Sequence, residues 1–356
     1  MGEAGLFARP RATVMVRTWL VALALLVVLM VGVGGATRLT GSGLSITEWR
    51  PVTGAIPPLT EQAWLEAFAK YRQIPQYQLL NYGLTLAEFK FIYWWEWSHR
   101  QLGRLIGLVF FAPLLWFWLK GWVRGRLAAA LLGIGCLGAL QGAVGWIMVA
   151  SGLEPGMTAV APVKLALHLT IASLILGALV WIAAGLDAQP APWAAQDHGR
   201  APRAGAYLLT GLILVQIALG GLVAGSKAGL TYNTWPLMDG RIVPLAATLF
   251  SGTPWLENFV DNLALVQFNH RLVAYVIVVL ALWHAIAAWR AAPHSARARR
   301  AGALAALSAA QMALGITTLV LVVPLWAGLA HQLLAMAVLA AAVVHARRCA
   351  ELPPVS

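Results

Sequence analysis

The run T-W-L-V-A-L-A-L-L-V-V-L-M-V-G-V-G-G, Thr18 to Gly35, carries no charged side chain. A stretch this long and apolar crosses a bilayer as a helix, because hydrocarbon offers an unpaired backbone nothing to bond to. Arg9, Arg11 and Arg17 precede it. That order also suits a signal peptide. The run outlasts an ordinary signal core and further runs follow, so it reads as a retained first span. Seven more apolar segments lie at roughly 102–119, 127–149, 163–186, 206–225, 267–289, 302–323 and 326–346. They are continuous rather than alternating, which favours helices over a barrel. Composition agrees: of 356 residues 60% are apolar and 11% charged, and mean hydropathy is +0.74. Soluble domains carry about 25% charged residues. This balance excludes a soluble enzyme, a disordered chain and, despite a net charge of +12, a nucleic-acid binder. The expected class is an all-α integral membrane protein with eight transmembrane helices.

With eight spans both termini share a side. That side holds 14 of the 25 basic residues and four of the 13 acidic ones, leaving +10 there against +2 opposite. The basic bias predicts cytoplasmic termini in a bacterial inner membrane. The two halves also match in order. Gly34-Gly35, Gly43-Leu44, Trp49, Gly54, Ile56 and Pro58 repeat 186 positions later as Gly220-Gly221, Gly229-Leu230, Trp235, Gly240, Ile242 and Pro244. His99-Arg100 recurs as His270-Arg271, Gln141 and Gly145 as Gln311 and Gly315, and His168 as His331. Four spans per half make the halves enter from the same side, related by an axis along the membrane normal. The expected architecture is two pseudo-symmetric four-helix bundles, residues 1–187 and 205–356, joined by a cytoplasmic linker at 188–204.

Four of the eight histidines, His99, His168, His270 and His331, open spans 2, 4, 6 and 8. Spans 2 and 4 of a half run parallel, so the paired imidazoles sit at one depth on two helices of a bundle. A haem iron with two axial imidazoles needs that arrangement, whereas a structural zinc wants four ligands. An isolated membrane histidine is more often an interhelical hydrogen-bonding group; the repeated pair argues for ligation. Arg100, Arg104 and Arg271 follow closely and suit haem propionates, or else anchor the interface. His284 and His345 each lie 14 residues after a ligand candidate, the spacing of stacked haems. The first half has Pro113 and Ile182 at those points, and Arg290 and Arg347 lie nearby, so both read as interfacial. His198 and His294 fall in basic loops and read as solvated. Cys136 and Cys349 form no paired motif.

Glu96, three residues before His99, corresponds to Gln267 in the second half. A carboxylate takes a proton or stabilises a cation; an amide does neither well. The contrast suggests one reacting and one resident haem, against the plainer reading of an interface carboxylate in a Trp-rich belt. In the loop 38–98, Trp64, Phe68 and Tyr71 recur at helical spacing, and Thr85-x-x-Glu88 reads as a capping box. Two short amphipathic helices are expected there on the membrane surface, either as a lid or as a plain interfacial loop.

The motifs G-G-A-T-R-L-T-G-S-G-L-S (34–45), E-W-R-P-V-T-G-A-I-P-P (48–58), E-W-S-H-R-Q-L-G-R (96–104), Q-G-A-V-G-W-I-M-V-A-S-G-L (141–153), A-L-H-L (166–169), G-L-T-Y-N-T-W-P-L-M-D-G (229–240), F-N-H-R (268–271) and A-H-Q (330–332) run through nearly the whole chain. In these the sequence resembles the haem A synthase family, in its alphaproteobacterial and mitochondrial form. The resemblance implies a membrane oxidoreductase that oxidises the C8 methyl of haem O to a formyl group, giving haem A for cytochrome oxidase. It implies a haem b cofactor on His270 and His331, with His99 and His168 in the substrate site and Glu96 in the oxidation. Expected partners are haem O, a haem O synthase, oxidase assembly factors, a redox partner and lipid, with a homo-oligomer left open. Some relatives carry a cysteine pair in the first external loop; this chain has none there. Two other classes fit parts of the pattern. A b-type electron-transfer cytochrome would use haems without altering them, and a two-repeat transporter would not require matched histidines.

Overall fold

The computed structural model describes residues 10–186 and 201–350. Eight long helices dominate it: α1 Pro10–Leu39, α2 Leu86–Leu119, α3 Gly125–Gly152, α4 Pro162–Gly185, α5 Ala201–Gly225, α6 Leu263–Ala291, α7 Ala296–Val320 and α8 Leu325–Ala350. All eight have segments long and apolar enough to cross a membrane. Among the described residues no β-structure occurs beyond one bridge between Met238 and Arg241. His198 lies outside the described residues; His294 is exposed, as its loop position suggested.

Helix α2 begins 16 residues before the apolar run that announced it. Its early turns are rich in polar and aromatic groups, so hydropathy misses them. The start is fixed instead by a capping box. Glu88 N–H donates to Thr85 Oγ1 at 3.3 Å, and Thr85 N–H donates to Glu88 Oε2 at 2.8 Å. At 34 residues the helix is about 51 Å long, well beyond a hydrocarbon core of about 30 Å. The projecting turns carry Phe89, Ile92 and Tyr93. The short helix Glu61–Tyr71 packs on them, burying Trp64 and Tyr71 with Tyr77 and Leu44. Trp64 meets Tyr93 edge-on at 4.9 Å between ring centres. The apolar face of that loop helix therefore covers α2, rather than resting on lipid as its amphipathicity suggested.

In the first half α1 packs on α2 and α4, and α3 packs on α4. In the second, α5 packs on α6 and α8, and α7 packs on α6 and α8. The halves meet through α1, α4, α5 and α8, around a shared core that includes Leu23, Val27, Leu176, Ile213 and Leu339. Backbones approach closely where α4 crosses α5. A Cβ at Gly221 would sit 2.7 Å from Ala166 Cα, and one at Gly225 would sit 2.6 Å from Pro162 Cα. Two polar links cross the same boundary: Arg38 Nη1 donates to Ala224 O at 2.8 Å, and Gln332 Nε2 to Val31 O at 2.9 Å.

These contacts set a paired test. Gly221→Ala should destabilise the protein in detergent by about 1–3 kcal/mol, because the added methyl meets backbone. Gly211→Ala, on the same helix with open space beside it, should be neutral or stabilising by up to about 1 kcal/mol. Thermal unfolding of both variants checks the difference.

Candidate functional site

His99, His168, His270 and His331 lie on α2, α4, α6 and α8, near the end of the molecule opposite the termini. Each ring is pressed against a glycine of a neighbouring helix. A Cβ at Gly34, Gly145 or Gly315 would sit 2.8 Å from Cε1 of His99, His168 or His331, and one at Gly220 would sit 3.2 Å from Cε1 of His270. A side chain at Gly34, Gly145 or Gly315 would force the imidazole to move, and one at Gly220 would crowd it. These glycines were visible as repeat matches; their job of seating the histidines was not. The Nδ1 atoms of His99, His168 and His270 are buried without a hydrogen-bond partner.

A metal held between two imidazoles at a bond length of about 2 Å needs nitrogens about 4 Å apart and ring centres about 6 Å apart. His270 and His331 have ring centres 6.5 Å apart and planes at 78°. The ring-centre spacing of this pair matches what a two-imidazole iron requires. That of His284 and His345 does not. Their Nε2 atoms lie 2.9 Å apart and their ring centres 5.1 Å apart, a direct hydrogen bond with no room for iron. They are also only 5% and 1% exposed, which corrects the interfacial reading. The arginines near them in sequence suggested the membrane surface. In space His284 fills the position where a side chain on Gly205 of α5 would go. Cys349 Sγ lies 3.9 Å from His345 Nε2. Among the described residues no group of three or more His, Cys, Asp or Glu side chains is arranged to hold a metal ion.

Three glutamines attend the histidines. Gln141 Nε2 lies 3.3 Å from His168 Nε2. Gln216 Nε2 lies 3.4 Å from His270 Nε2 and donates to His270 O at 3.0 Å. Gln311 Nε2 lies 3.2 Å from His331 Nδ1 and donates to His331 O at 2.9 Å. Gln141 and Gln311 were legible as a repeat pair. Gln216 was not, because Met30 stands at its counterpart and leaves His99 without an amide there.

Glu96, 3% exposed, sits at the junction of α2 with the loop that follows α1. Its Oε2 accepts from Ser45 Oγ and Ile46 N–H, both at 2.8 Å, and its Oε1 accepts from Arg100 Nη2 at 2.6 Å and Nε at 3.2 Å. Arg100 then donates to Ile46 O and Glu48 O. Gln267, 2% exposed, does the same job with opposite polarity. Its Nε2 donates to Ala228 O and Thr231 O, while Arg271 donates to its Oε1 and to Tyr232 O. The first-half loop turns an N–H and a hydroxyl toward the carboxylate; the second-half loop turns two carbonyls toward the amide. Arg104 reaches back to Pro51 O and Arg50 O. Outside the membrane Glu48 pairs with Lys70 and Arg50. The Lys70 hydrogen bond, reinforced by both positive charges, holds the Glu48 carboxyl below its ordinary range.

Removing Arg100 would strand the buried carboxylate. Arg100→Ala should cost about 3–5 kcal/mol of stability, and Glu96→Gln added to it should recover part of that loss. A double-mutant cycle read by thermal unfolding measures the coupling.

Residues 17–343 match the sequence profile of the family described as cytochrome oxidase assembly protein. The chain is 67% identical to a protein named heme A synthase from Methylobacterium sp. (strain 4-46), covering 96% of this chain and 93% of that one. It is 65% identical to the heme A synthase of Methylorubrum extorquens (strain PA1), covering 95% and 87%. It is 50% identical to that of Brucella ovis, covering 94% and 91%. With identity of this order over almost the entire length, the chain belongs to the haem A synthase family.

Proposed function

We propose that the protein oxidises the C8 methyl of haem O to a formyl group, supplying haem A for cytochrome oxidase. The change removes two hydrogens from the methyl carbon and adds one oxygen, a four-electron oxidation; with water as the oxygen source, four protons and four electrons leave, and the redox partner accepts the electrons. The observation that carries the reading is the fourfold histidine–glycine contact at repeat-matched positions, with one pair spaced for a two-imidazole iron. Each half is assigned as a four-helix unit with one haem site. His270 and His331 would hold a resident haem b, and His99 and His168 the haem O substrate. When bound, the resident haem supplies a one-electron redox centre. The charge bias puts both termini in the cytoplasm of a bacterial inner membrane, so both sites face the outer leaflet.

The chain's own residues supply position and charge. Gly34 and Gly145 seat the His99 and His168 rings. Gln141 lies within hydrogen-bonding distance of His168 Nε2, and Met30 leaves the His99 side apolar. Glu96 is a fixed negative pole three residues from His99, held by Ser45, Ile46 and Arg100. That placement supports a role in stabilising positive charge that develops on the substrate during oxidation. Arg100 and Arg271 are assigned to the propionate edges of the two haems. Because their guanidinium groups already bind loop carbonyls and the Glu96 or Gln267 side chain, their contribution is to hold the loops over the sites. Haem O synthase, oxidase assembly factors and an electron-transfer protein are the partners this reaction calls for.

Two measurements test the assignment. Expressed with a haem O supply, wild-type protein should yield extractable haem A, while Glu96→Gln should retain haem and lose at least about 100-fold in formyl yield. An unchanged yield removes Glu96 from the chemistry. His331→Ala should abolish the Soret band of the resident haem, whereas His99→Ala should leave that band and prevent haem A formation. A resident band that follows His99 instead would reverse the assignment of the two halves.

A further inference from the structure

The halves differ most where their second and third helices meet. In the second half α6 and α7 pack along their length, and Val278 and Ser308 on them are buried. In the first half α2 and α3 touch at few points. Toward the termini, Phe110 and Phe111 of α2 are wedged against Gly135 of α3, each 3.2 Å from where a Cβ would be. Toward the loops, the Arg100 guanidinium lies 5.9 Å from the Trp146 ring centre, and Trp146 lies 5.2 Å from Trp49. Between these two props, Gly107 on α2 and Gly138 and Gly142 on α3 have nothing within 4 Å of a Cβ, and both α3 glycines are exposed. Their repeat counterparts are Val278, Ser308 and Met312; the counterparts of Phe110 and Gly135 are Ala281 and Ala305, small enough for close approach. The separation is therefore built by bulky props in one half and abolished by small residues in the other.

We propose that this framed slot between α2 and α3 is where the substrate's long isoprenoid chain leaves the first-half site and reaches the lipid. The inference rests on the assignment of His99 and His168 to haem O. Three features beyond the glycines support it. The two helices that border the slot carry exposed apolar side chains, Leu108 on α2 and Leu140 on α3. Gln141, next to Gly142 in the chain, lies 3.3 Å from His168 Nε2, which ties the slot to the first-half site. It is absent from the half assigned a resident haem, which has no need to exchange its ligand. A porphyrin clasped between two helices with an alkyl chain on its edge needs a gap of this kind, whereas an unprenylated porphyrin does not.

The test copies the second half into the first. In full-length protein with its resident haem, Gly142→Met and the double variant Gly138→Ser/Gly142→Met are titrated with haem O and with protohaem, which lacks the chain. Soret difference spectra report binding, and His99→Ala in each background defines the first-half site. The expected result is a loss of at least about tenfold in haem O affinity, with protohaem affinity and the resident Soret band retained. Those two retained signals also show that the variants fold. Equal haem O affinity in wild type and both variants overturns the slot. Equal losses for both haems also overturn it, since the chain would then not be what the slot accommodates. If neither haem's binding to wild type depends on His99, the assignment of the site itself fails and the slot falls with it. Should the double variant lose its resident band, Gly142→Ala replaces it, with a smaller haem O-selective loss expected and no selectivity counting against the proposal.

Discussion

An imidazole pressed against a glycine, four times over, is the constraint on which the rest of the structure depends. A histidine on a membrane helix has freedom to swing toward lipid, toward a neighbouring backbone or into the bundle. A missing Cβ on the adjoining helix removes that freedom, because the ring occupies the volume a side chain would take. The helices must then cross at the glycine, so Gly34, Gly145, Gly220 and Gly315 set interhelical geometry as well as ring direction. Close approach at small residues is how membrane helices associate when hydrophobic burial drives nothing. In this chain the same contacts that pack the bundle also aim its functional groups.

Around that shared frame the halves diverge by few substitutions with distinct physical effects. Glutamate for glutamine inverts the polarity of the loop junction, so Ser45 and Ile46 donate where Ala228 and Thr231 accept. Methionine for glutamine at position 30 strips an amide from one histidine's surroundings. Phenylalanines for Ala281 and Leu282 hold two helices apart. Each change is local, and together they give two halves of one frame different charge and different helix spacing around their histidines.

The eight spans and the matched positions of four histidines and four glycines were legible because apolar length and ordered identities are one-dimensional signals. The start of α2 was not, since its first turns owe their helicity to a capping box and to aromatic packing by the loop helix. The pairing of His284 with His345 was hidden for a different reason. Nearby arginines mark a membrane surface in sequence, but α6 and α8 both pack on α5, where the missing side chain of Gly205 admits His284 and lets it meet His345. Gln216 carries no such signal, because its repeat counterpart is Met30. What sequence conveys least is spacing across helices, and that is what separates a ring distance of 6.5 Å from one of 5.1 Å.

The two polar links across the central boundary bear on how such a chain avoids mispairing. Residue 224 stands at the repeat position of residue 38, so Arg38 bonds to the carbonyl of its own counterpart, an alanine. Two copies of the first half placed in this arrangement would bring a pair of guanidinium groups together, and like charges at close range repel. Two copies of the second half would have alanine on both sides and form no such bond. Gln332 makes the second link differently: it donates to Val31 O, while its own repeat counterpart is Leu169. At the Arg38 contact the surfaces are thus complementary only as a mixed couple, and the first half discriminates there against an identical twin.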